Sequence, residues 1–145
     1  CTRITLCEKI DNLKSLTVMF ALLRLINIFN EIFGIKFSEI LTDNGAEFGS
    51  IKYKNKDEHP VETMFKELGI KHRYTRPYRP QTNGKIERFW RTLYTELIED
   101  TDFENIEEFK SDLDEYLCYY NYQRSHQSLG GKTPFEFLQT VEKVN

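Results

Sequence analysis

Residues 40–48 read Ile-Leu-Thr-Asp-Asn-Gly-Ala-Glu-Phe, and this stretch decides how the chain is organised. The segment from Phe37 to Thr42 has the length and composition of a short strand, and the Asn44-Gly45 dipeptide that follows is typical of a tight turn. Asp43 is therefore expected at the carboxyl end of a strand, where functional groups gather in open α/β sheets. Taken alone, the same residues would also make a plain turn.

The residues before this stretch predict one strand and one long helix. Alternating apolar and polar side chains favour a strand near residues 2–10. A wide apolar stripe then predicts a helix over about residues 12–33, which Gly34 would end. The residues expected to face inward on that helix are Leu13, Leu16, Phe20, Leu23, Asn27, Phe29 and Ile32.

The residues after it continue the alternation of helices and strands. Residues 49–59 are polar and predict a loop, followed by a short helix that begins at Pro60 and ends at Gly69. Residues 70–75 form a possible third strand, and a long helix is expected from near Asn83. The periodic apolar positions of that helix and of the next are Ile86, Phe89, Trp90, Leu93 and Leu97, then Ile106, Phe109, Leu113, Leu117 and Tyr120. This order predicts an α/β fold with a mainly parallel sheet and flanking helices.

Thr133-Pro134-Phe135-Glu136 has the spacing of a helix capping box, so a last short helix is expected after it.

Length and composition favour one soluble domain. The 145 residues are 39% apolar and 14% aromatic, enough to bury one sizeable core. No run of about eighteen consecutive apolar residues and no signal peptide is present, so we expect an intracellular protein without a membrane segment. The three cysteines have no zinc-type spacing and predict no metal centre of that kind.

The net charge of −3 hides a strong asymmetry along the chain. One acid, Glu87, stands among seven basic residues, which are Lys71, Arg73, Arg76, Arg79, Lys85, Arg88 and Arg91. From Thr95 to Tyr120 the chain instead has ten acids and one base. A basic block inside an acidic chain is typical of a localised phosphate-binding surface, although a solvated charged face would have the same composition.

Glu87 is the second candidate functional acid. On a helix that turns about 100° per residue, an apolar stripe centred near Ile86 leaves Glu87 at the border between core and solvent. It also lies near the start of its helix, where the helix dipole stabilises a carboxylate. The simpler interpretation is a glutamate paired with Arg91 four residues on.

Four phrases around these acids occur in one order: ILTDNGAEF at 40–48, GIKH at 69–72, RPYRPQTNGKIERFWR at 76–91 and YNYQRSHQSLGGKTP at 120–134. Together they closely resemble the catalytic core of insertion-sequence transposases and retroviral integrases, the DDE superfamily with a ribonuclease H-like fold. The resemblance spans nearly the whole chain.

The resemblance implies roles for both acids and for the basic block. Asp43 matches the second catalytic aspartate and Glu87 the catalytic glutamate, both as ligands of two Mg²⁺ or Mn²⁺ ions in phosphoryl transfer. DNA, as element ends and target, is the implied partner, with a homo-oligomer in the full-length protein and a cytoplasmic, nucleoid-associated location. The residues expected to contact DNA are Arg76, Arg79, Gln81, Asn83, Lys85, Arg88 and Arg91.

The sequence departs from the family pattern in its first aspartate, for which no position matches. We therefore interpret residues 1–145 as an N-terminally truncated integrase core, with 123–145 as its C-terminal extension and with the first strands missing. In that case residues 2–10 should either lack support or pair directly with residues 37–42 through a right-handed crossover. The number of residues between Asp43 and Glu87 is also larger than is common in the family. The additional residues can be accommodated in residues 49–59 as a surface loop.

Three functions remain open at this point. The first is metal-dependent DNA strand cleavage and joining, here in an incomplete core that would be inactive alone. The second is a non-catalytic DNA-binding remnant or assembly module, and the third is a nuclease of the same fold.

Glu47 is a weaker candidate for the metal site, and His126 matches a phrase that is structural or faces DNA. His59 and His72 carry no signal. The tyrosines that could stack on bases, or fill the core, are Tyr116, Tyr119, Tyr120 and Tyr122.

Overall fold

A computed structural model of the chain describes residues 2–49, 58–75 and 84–142. The chain divides into two compact units. We call Glu8–Trp90 the sheet unit, and Cys1–Cys7 together with Arg91–Asn145 the helical unit. The division falls between two consecutive residues of one helix, Trp90 and Arg91, and the single domain expected from the sequence stays a prediction.

The sheet unit contains two strands that pair in parallel. Strand β1 (Glu39–Thr42) lies beside β2 (Lys71–Tyr74), with Ile40 opposite His72 in the register. Both strands and their parallel pairing are confirmed. One face of this pair is exposed and charged, and there the Arg73 guanidinium donates to Glu39 Oε1 at 2.8 Å.

Two helices cover the other face of the strands. Helix α1 (Ser15–Phe33) ends at Gly34, whose left-handed backbone (φ 64°) is a conformation that glycine adopts without strain. Helix α2 (Pro60–Glu67) begins with proline at its first position, as expected. The buried cluster between these elements consists of Val18, Val61, Met64, Phe65 and Ile70.

The inward face predicted for α1 is largely wrong. Leu13, Leu16, Phe20 and Ile32 are 52–68% exposed and Asn27 is exposed, whereas the buried residues are Val18, Ala21 and Phe33. The apolar stripe is so wide that periodicity alone does not fix its centre. By length and composition α1 would suffice to cross a membrane, a property that the core helices of soluble proteins share.

Residues 2–10 form no strand in the described part of the chain, so the predicted first strand is wrong. The described sheet contains β1 and β2 alone, so of the two alternatives expected for residues 2–10 the direct pairing with residues 37–42 is wrong. Arg3 has a positive φ of 61°, which interrupts an extended backbone. The buried side chain of Asn121 instead accepts from the Thr5 amide (2.9 Å) and donates to the Thr5 carbonyl (2.7 Å).

In its described residues the helical unit contains helices and no strand. Helix α3 (Gly84–Leu93) enters it with its last turn and continues into a π-helical segment, Tyr94–Ile98. Helix α4 (Ile106–Tyr122) and helix α5 (Pro134–Glu142) follow. Three of the predicted core positions of α4 are buried, namely Leu113, Leu117 and Tyr120, whereas Ile106 is 42% exposed.

The capping box of α5 is confirmed. The Thr133 amide donates to Glu136 Oε2 at 2.9 Å, and the Glu136 amide donates to Thr133 Oγ1 at 3.2 Å. Two backbone donors at the helix start are thereby satisfied reciprocally.

Candidate active site

Asp43 lies where the sequence places it, immediately after β1, and it is exposed. The Gly45 amide donates to Asp43 Oδ1 at 2.8 Å, which closes a small turn around the carboxylate. The Asn44 side chain donates to the Thr75 carbonyl at 2.8 Å and ties the same turn to the residue after β2. The aspartate is therefore held at the edge of the sheet by its own turn while its carboxylate stays open to solvent.

Glu47 lies in the short 3₁₀ helix Ala46–Phe48 that follows this turn. Its side chain folds back over Gly45, and its Oε1 lies 2.5 Å from the place that a Cβ on Gly45 would occupy. A larger residue at position 45 would require the end of the flexible Glu47 side chain to move. Glu47 thus lies close to the turn that carries Asp43, and its role as a metal ligand stays a prediction.

Glu87 lies in the first turn of α3 and is exposed. The stripe centre predicted at Ile86 is wrong, because Ile86 is 54% and Trp90 49% exposed, whereas Phe89 and Leu93 are buried. Shifting the buried stripe toward Phe89 moves Glu87 from the border of the core to the solvent side. An exposed carboxylate is more available to an external ligand than a border residue would be.

The basic residues of α3 are also exposed, and these are Lys85, Arg88 and Arg91. Four further residues predicted to contact DNA, Arg76, Arg79, Gln81 and Asn83, lie outside the described residues.

Asp43 and Glu87 belong to the same compact unit. Their convergence on shared metal ions, expected at a separation on the order of 4–8 Å, stays a prediction. Within the described ranges, no group of three or more His, Cys, Asp or Glu side chains lies close enough together to hold a metal ion.

A polar network next to Asp43 was missed by sequence reasoning. The Thr42 hydroxyl donates to the Asp43 carbonyl at 2.9 Å, and its oxygen lies 2.9 Å from His72 Nε2. The other ring nitrogen of His72, Nδ1, lies 3.1 Å from Glu62 Oε1 on α2. Tyr74 lies beside them, its hydroxyl 2.6 Å from Glu62 Oε1.

Burial shapes this network. The His72 side chain is 3% exposed and the Glu62 side chain 18%. Burial, and then the neighbouring Glu62 carboxylate, raise the pKa of Tyr74, so its hydroxyl stays a donor at physiological pH. The signal in the sequence was the two-residue spacing of His72 and Tyr74, which puts both on one strand face; the contact with α2 has no local signal.

A second polar cluster lies in the helical unit. Arg124 Nη2 donates to Glu96 Oε1 at 2.6 Å, and the Tyr116 hydroxyl donates to Glu96 Oε2 at 2.9 Å. The Arg124 guanidinium lowers the pKa of Glu96, whereas burial and then the bond to Glu96 raise the pKa of Tyr116. Because Tyr116 and Tyr120 are buried, these two tyrosines are core residues; Tyr119 and Tyr122 are 43% and 40% exposed.

His126 belongs to this cluster and is structural. It is 7% exposed, its amide donates to the Lys132 carbonyl at 3.0 Å, and its carbonyl accepts from the Gly131 amide at 3.1 Å. Burial, followed by the nearby Arg124 and Arg3, lowers the pKa of its imidazole. The histidine therefore closes the loop before α5 as a neutral, buried side chain.

Comparison with known proteins assigns this arrangement to a family. A family model described as an integrase core domain matches residues 68–134, which include Glu87 and the β2–α3 connection. The ORF3 protein of Spiroplasma virus SpV1-C74, described as an integrase, is 36% identical to this chain over 99% of this chain and 41% of its own length. The transposase for insertion sequence element IS904 of Lactococcus lactis is 31% identical over 72% of this chain and 37% of its own length.

A solved structure extends the likeness to the fold. The catalytic core domain of BIV integrase superposes with a TM-score of 0.63 at 25% identity, covering 94% of this chain and 78% of that one. The chain spans about two fifths of the length of the curated relatives named above. The small parallel sheet with its flanking helices, the integrase core model and these relatives agree: the chain belongs to the DDE transposase and integrase family and has the ribonuclease H-like fold of that family's catalytic core.

Proposed function

We propose that this chain supplies catalytic carboxylates for metal-dependent DNA strand cleavage and joining, as part of a polynucleotidyl transferase. The observation that carries the proposal is the position of Asp43, exposed in a fixed turn at the carboxyl end of β1. Glu87 follows in the same compact unit, exposed at the start of a helix rich in basic residues. Transposases and integrases are the named functions of its relatives.

The donor set fits a hard divalent cation. Asp43 and Glu87 present carboxylate oxygens, which Mg²⁺ and Mn²⁺ prefer, and both side chains are open to solvent. Two such ions, when bound, supply activation of the attacking oxygen and stabilisation of the leaving oxygen. Asp43 would hold its ligand from a turn that two hydrogen bonds already fix, so little ordering is needed on binding. Further oxygen ligands would come from water, DNA phosphates or another carboxylate.

The basic side chains of α3 would hold DNA next to these carboxylates. Lys85, Arg88 and Arg91 are exposed, and cations of this kind contact phosphates without reading sequence. Arg76, Arg79, Gln81 and Asn83 would extend the same surface. In this proposal the partners are element ends and target DNA, the full-length protein works as a homo-oligomer, and its location is cytoplasmic at the nucleoid. Residues 1–145 would form part of the core domain, with 123–145 as its extension.

A second function remains open, a non-catalytic DNA-binding or assembly module. The observation in its favour is that no cluster of three potential metal ligands lies within residues 2–49, 58–75 and 84–142, while the basic side of α3 is intact. Such a module would bind DNA with a strong salt dependence but would not cut or join it.

The experiment that separates these functions measures joining of an element end to target DNA by the full-length protein in Mg²⁺. We expect Asp43→Asn and Glu87→Gln each to reduce joining by at least about 100-fold, as the loss of an ion ligand should, with DNA binding retained. Asp114→Asn and Glu115→Gln on the exposed side of α4 are matched controls with the same charge change. Joining that survives in either catalytic variant would show that the site is assigned wrongly. DNA binding without any joining by the unaltered protein would favour the second function.

A further inference from the structure

The network beneath the Asp43 turn links a buried histidine to the candidate metal ligand. Thr42, His72 and Tyr74 lie on the face of the strand pair that α2 covers, and Phe65 of α2 packs edge-on against the His72 ring at 4.9 Å between centroids. The network is therefore enclosed by the same core cluster that holds the sheet unit together. Polar groups in such a place need partners with good geometry.

The proton on the Thr42 hydroxyl determines the direction of this chain of contacts. A hydroxyl has one proton, and here it is donated to the Asp43 carbonyl at 2.9 Å. With that proton donated to the carbonyl, the Thr42 oxygen accepts from His72 Nε2, 2.9 Å away; this direction requires the tautomer protonated at Nε2, and the opposite tautomer would reverse the bond. Glu62 Oε1 lies 3.1 Å from the opposite ring nitrogen, Nδ1.

We propose that His72 is a positioning residue for Asp43, acting through the Thr42 hydroxyl. The proposal rests on the proposed function, which gives the Asp43 carboxylate a ligand to hold. Three bonds meet at the turn: from Thr42 to the Asp43 carbonyl, from Asn44 to the Thr75 carbonyl, and from the Gly45 amide to Asp43 Oδ1. The first fixes the peptide between Asp43 and Asn44, and the third fixes the Asp43 side chain against the next peptide, between Asn44 and Gly45. Loss of the hydroxyl would release the first peptide and so loosen the turn that holds the carboxylate.

Nothing in this chain of contacts transfers a proton to a substrate. His72 is buried, and its role is to keep the hydroxyl pointing at the carbonyl. The consequence for function is geometric, because a shift of about 1 Å in a ligand costs on the order of 100-fold in an in-line reaction.

Two pairs of variants of the 145-residue chain test the proposal. Thr42→Val keeps the shape and removes the hydroxyl, while Thr42→Ser keeps the hydroxyl. Gln can present an amide N–H near the place of Nε2, whereas Asn reaches only the place of Nδ1, so His72→Gln should act as the conservative variant and His72→Asn should not. Circular dichroism checks that each variant is folded; if the His72 variants are unfolded, the Thr42 pair decides.

The first readout needs no metal. The Gly45 amide reports on Asp43 directly, because it donates to Oδ1, and its ¹H–¹⁵N resonance is observable by NMR. We expect that resonance to shift toward the value of an amide without this bond in Thr42→Val and His72→Asn, and to stay in place in Thr42→Ser and His72→Gln. The positioning role would be overturned if the Gly45 chemical shift did not change in Thr42→Val, or if it changed equally in all four variants.

The second readout is the broadening of the Gly45 resonance by added Mn²⁺. We expect apparent Mn²⁺ affinity to fall about tenfold in Thr42→Val and His72→Asn, as for other groups that orient a metal ligand. Asp43→Asn should abolish the broadening. If the unaltered chain shows no Mn²⁺ effect at Gly45, the proposed metal site fails, while the metal-free shifts still decide whether His72 positions Asp43.

Discussion

Replacing Asn121 with alanine should destabilise the helical unit by separating it from its N-terminal segment. Asn121 is 2% exposed, and its side-chain amide makes two hydrogen bonds with Thr5, at 2.9 and 2.7 Å. Each bond contributes a net 0.5–1.5 kcal/mol or so, which gives about 1–3 kcal/mol for the pair. The Thr5 amide and carbonyl can recover part of this from water once the segment is released.

The assay is urea unfolding followed by circular dichroism, with a chain that starts at Glu8 as the second background. With m-values of about 1–3 kcal/mol/M, we expect the midpoint to fall by roughly 1 M in the full chain. In the shorter chain, where Thr5 is absent, the same substitution should cost much less, because the two changes remove one interaction. Asn27→Ala on the exposed side of α1 is the control and should leave the midpoint nearly unchanged.

An equal cost of Asn121→Ala in both backgrounds would refute the reasoning. It would show that the asparagine stabilises the unit through its packing within α4 and not through Thr5. Hydrogen exchange at the Thr5 amide gives an independent measure, since protection should be lost in the variant while amides in the centre of α4 keep theirs.

Two further predictions concern the same unit. Because burial lowers the pKa of His126, the unfolded chain binds a proton near pH 6.5 that the folded chain does not. Stability should therefore fall as the pH drops below about 6.5, until the folded histidine also titrates, with a slope of up to about 1.4 kcal/mol per pH unit. Urea midpoints at several pH values test this, and a profile equally steep in His126→Gln would contradict it. Thr133→Ala removes half of the α5 capping box and should cost about 0.5–2 kcal/mol, measured as a lower thermal midpoint; Thr133→Ser should keep most of the stability.

The elements that could be predicted from sequence are those whose signals are local. Gly34, Pro60 and the Thr133–Glu136 box each fix a helix end through backbone geometry or hydrogen bonds within a few residues. The turn after β1 is of the same kind, which is why Asp43 lies where the sequence placed it. Local chemistry is sufficient for these features because both partners of each contact are close together in the chain.

The predictions that failed depend on distant partners. Residues 2–10 alternate as a strand would, but a strand needs a neighbour for its backbone, and Thr5 meets the Asn121 side chain instead. The inward side of α1 was misjudged because its apolar positions surround much of the helix. The apolar positions of α3 lie on one side, but only Phe89 and Leu93 on that side are buried, which depends on contacts outside the helix. The link from Glu62 through His72 to Thr42 joins three separate elements, so no window of sequence contains it.

The Asn121 side chain also limits what the N-terminal segment can do in solution. A backbone that pairs with another strand presents the next donor and acceptor one residue further on, so pairing propagates and can recruit a foreign chain. The amide side chain of Asn121 offers one donor group and one acceptor, and no further backbone groups follow with which a second strand could pair. Thr5 therefore has both polar groups satisfied at a point where no ladder can grow, and the segment gains an anchor without becoming a template for self-association.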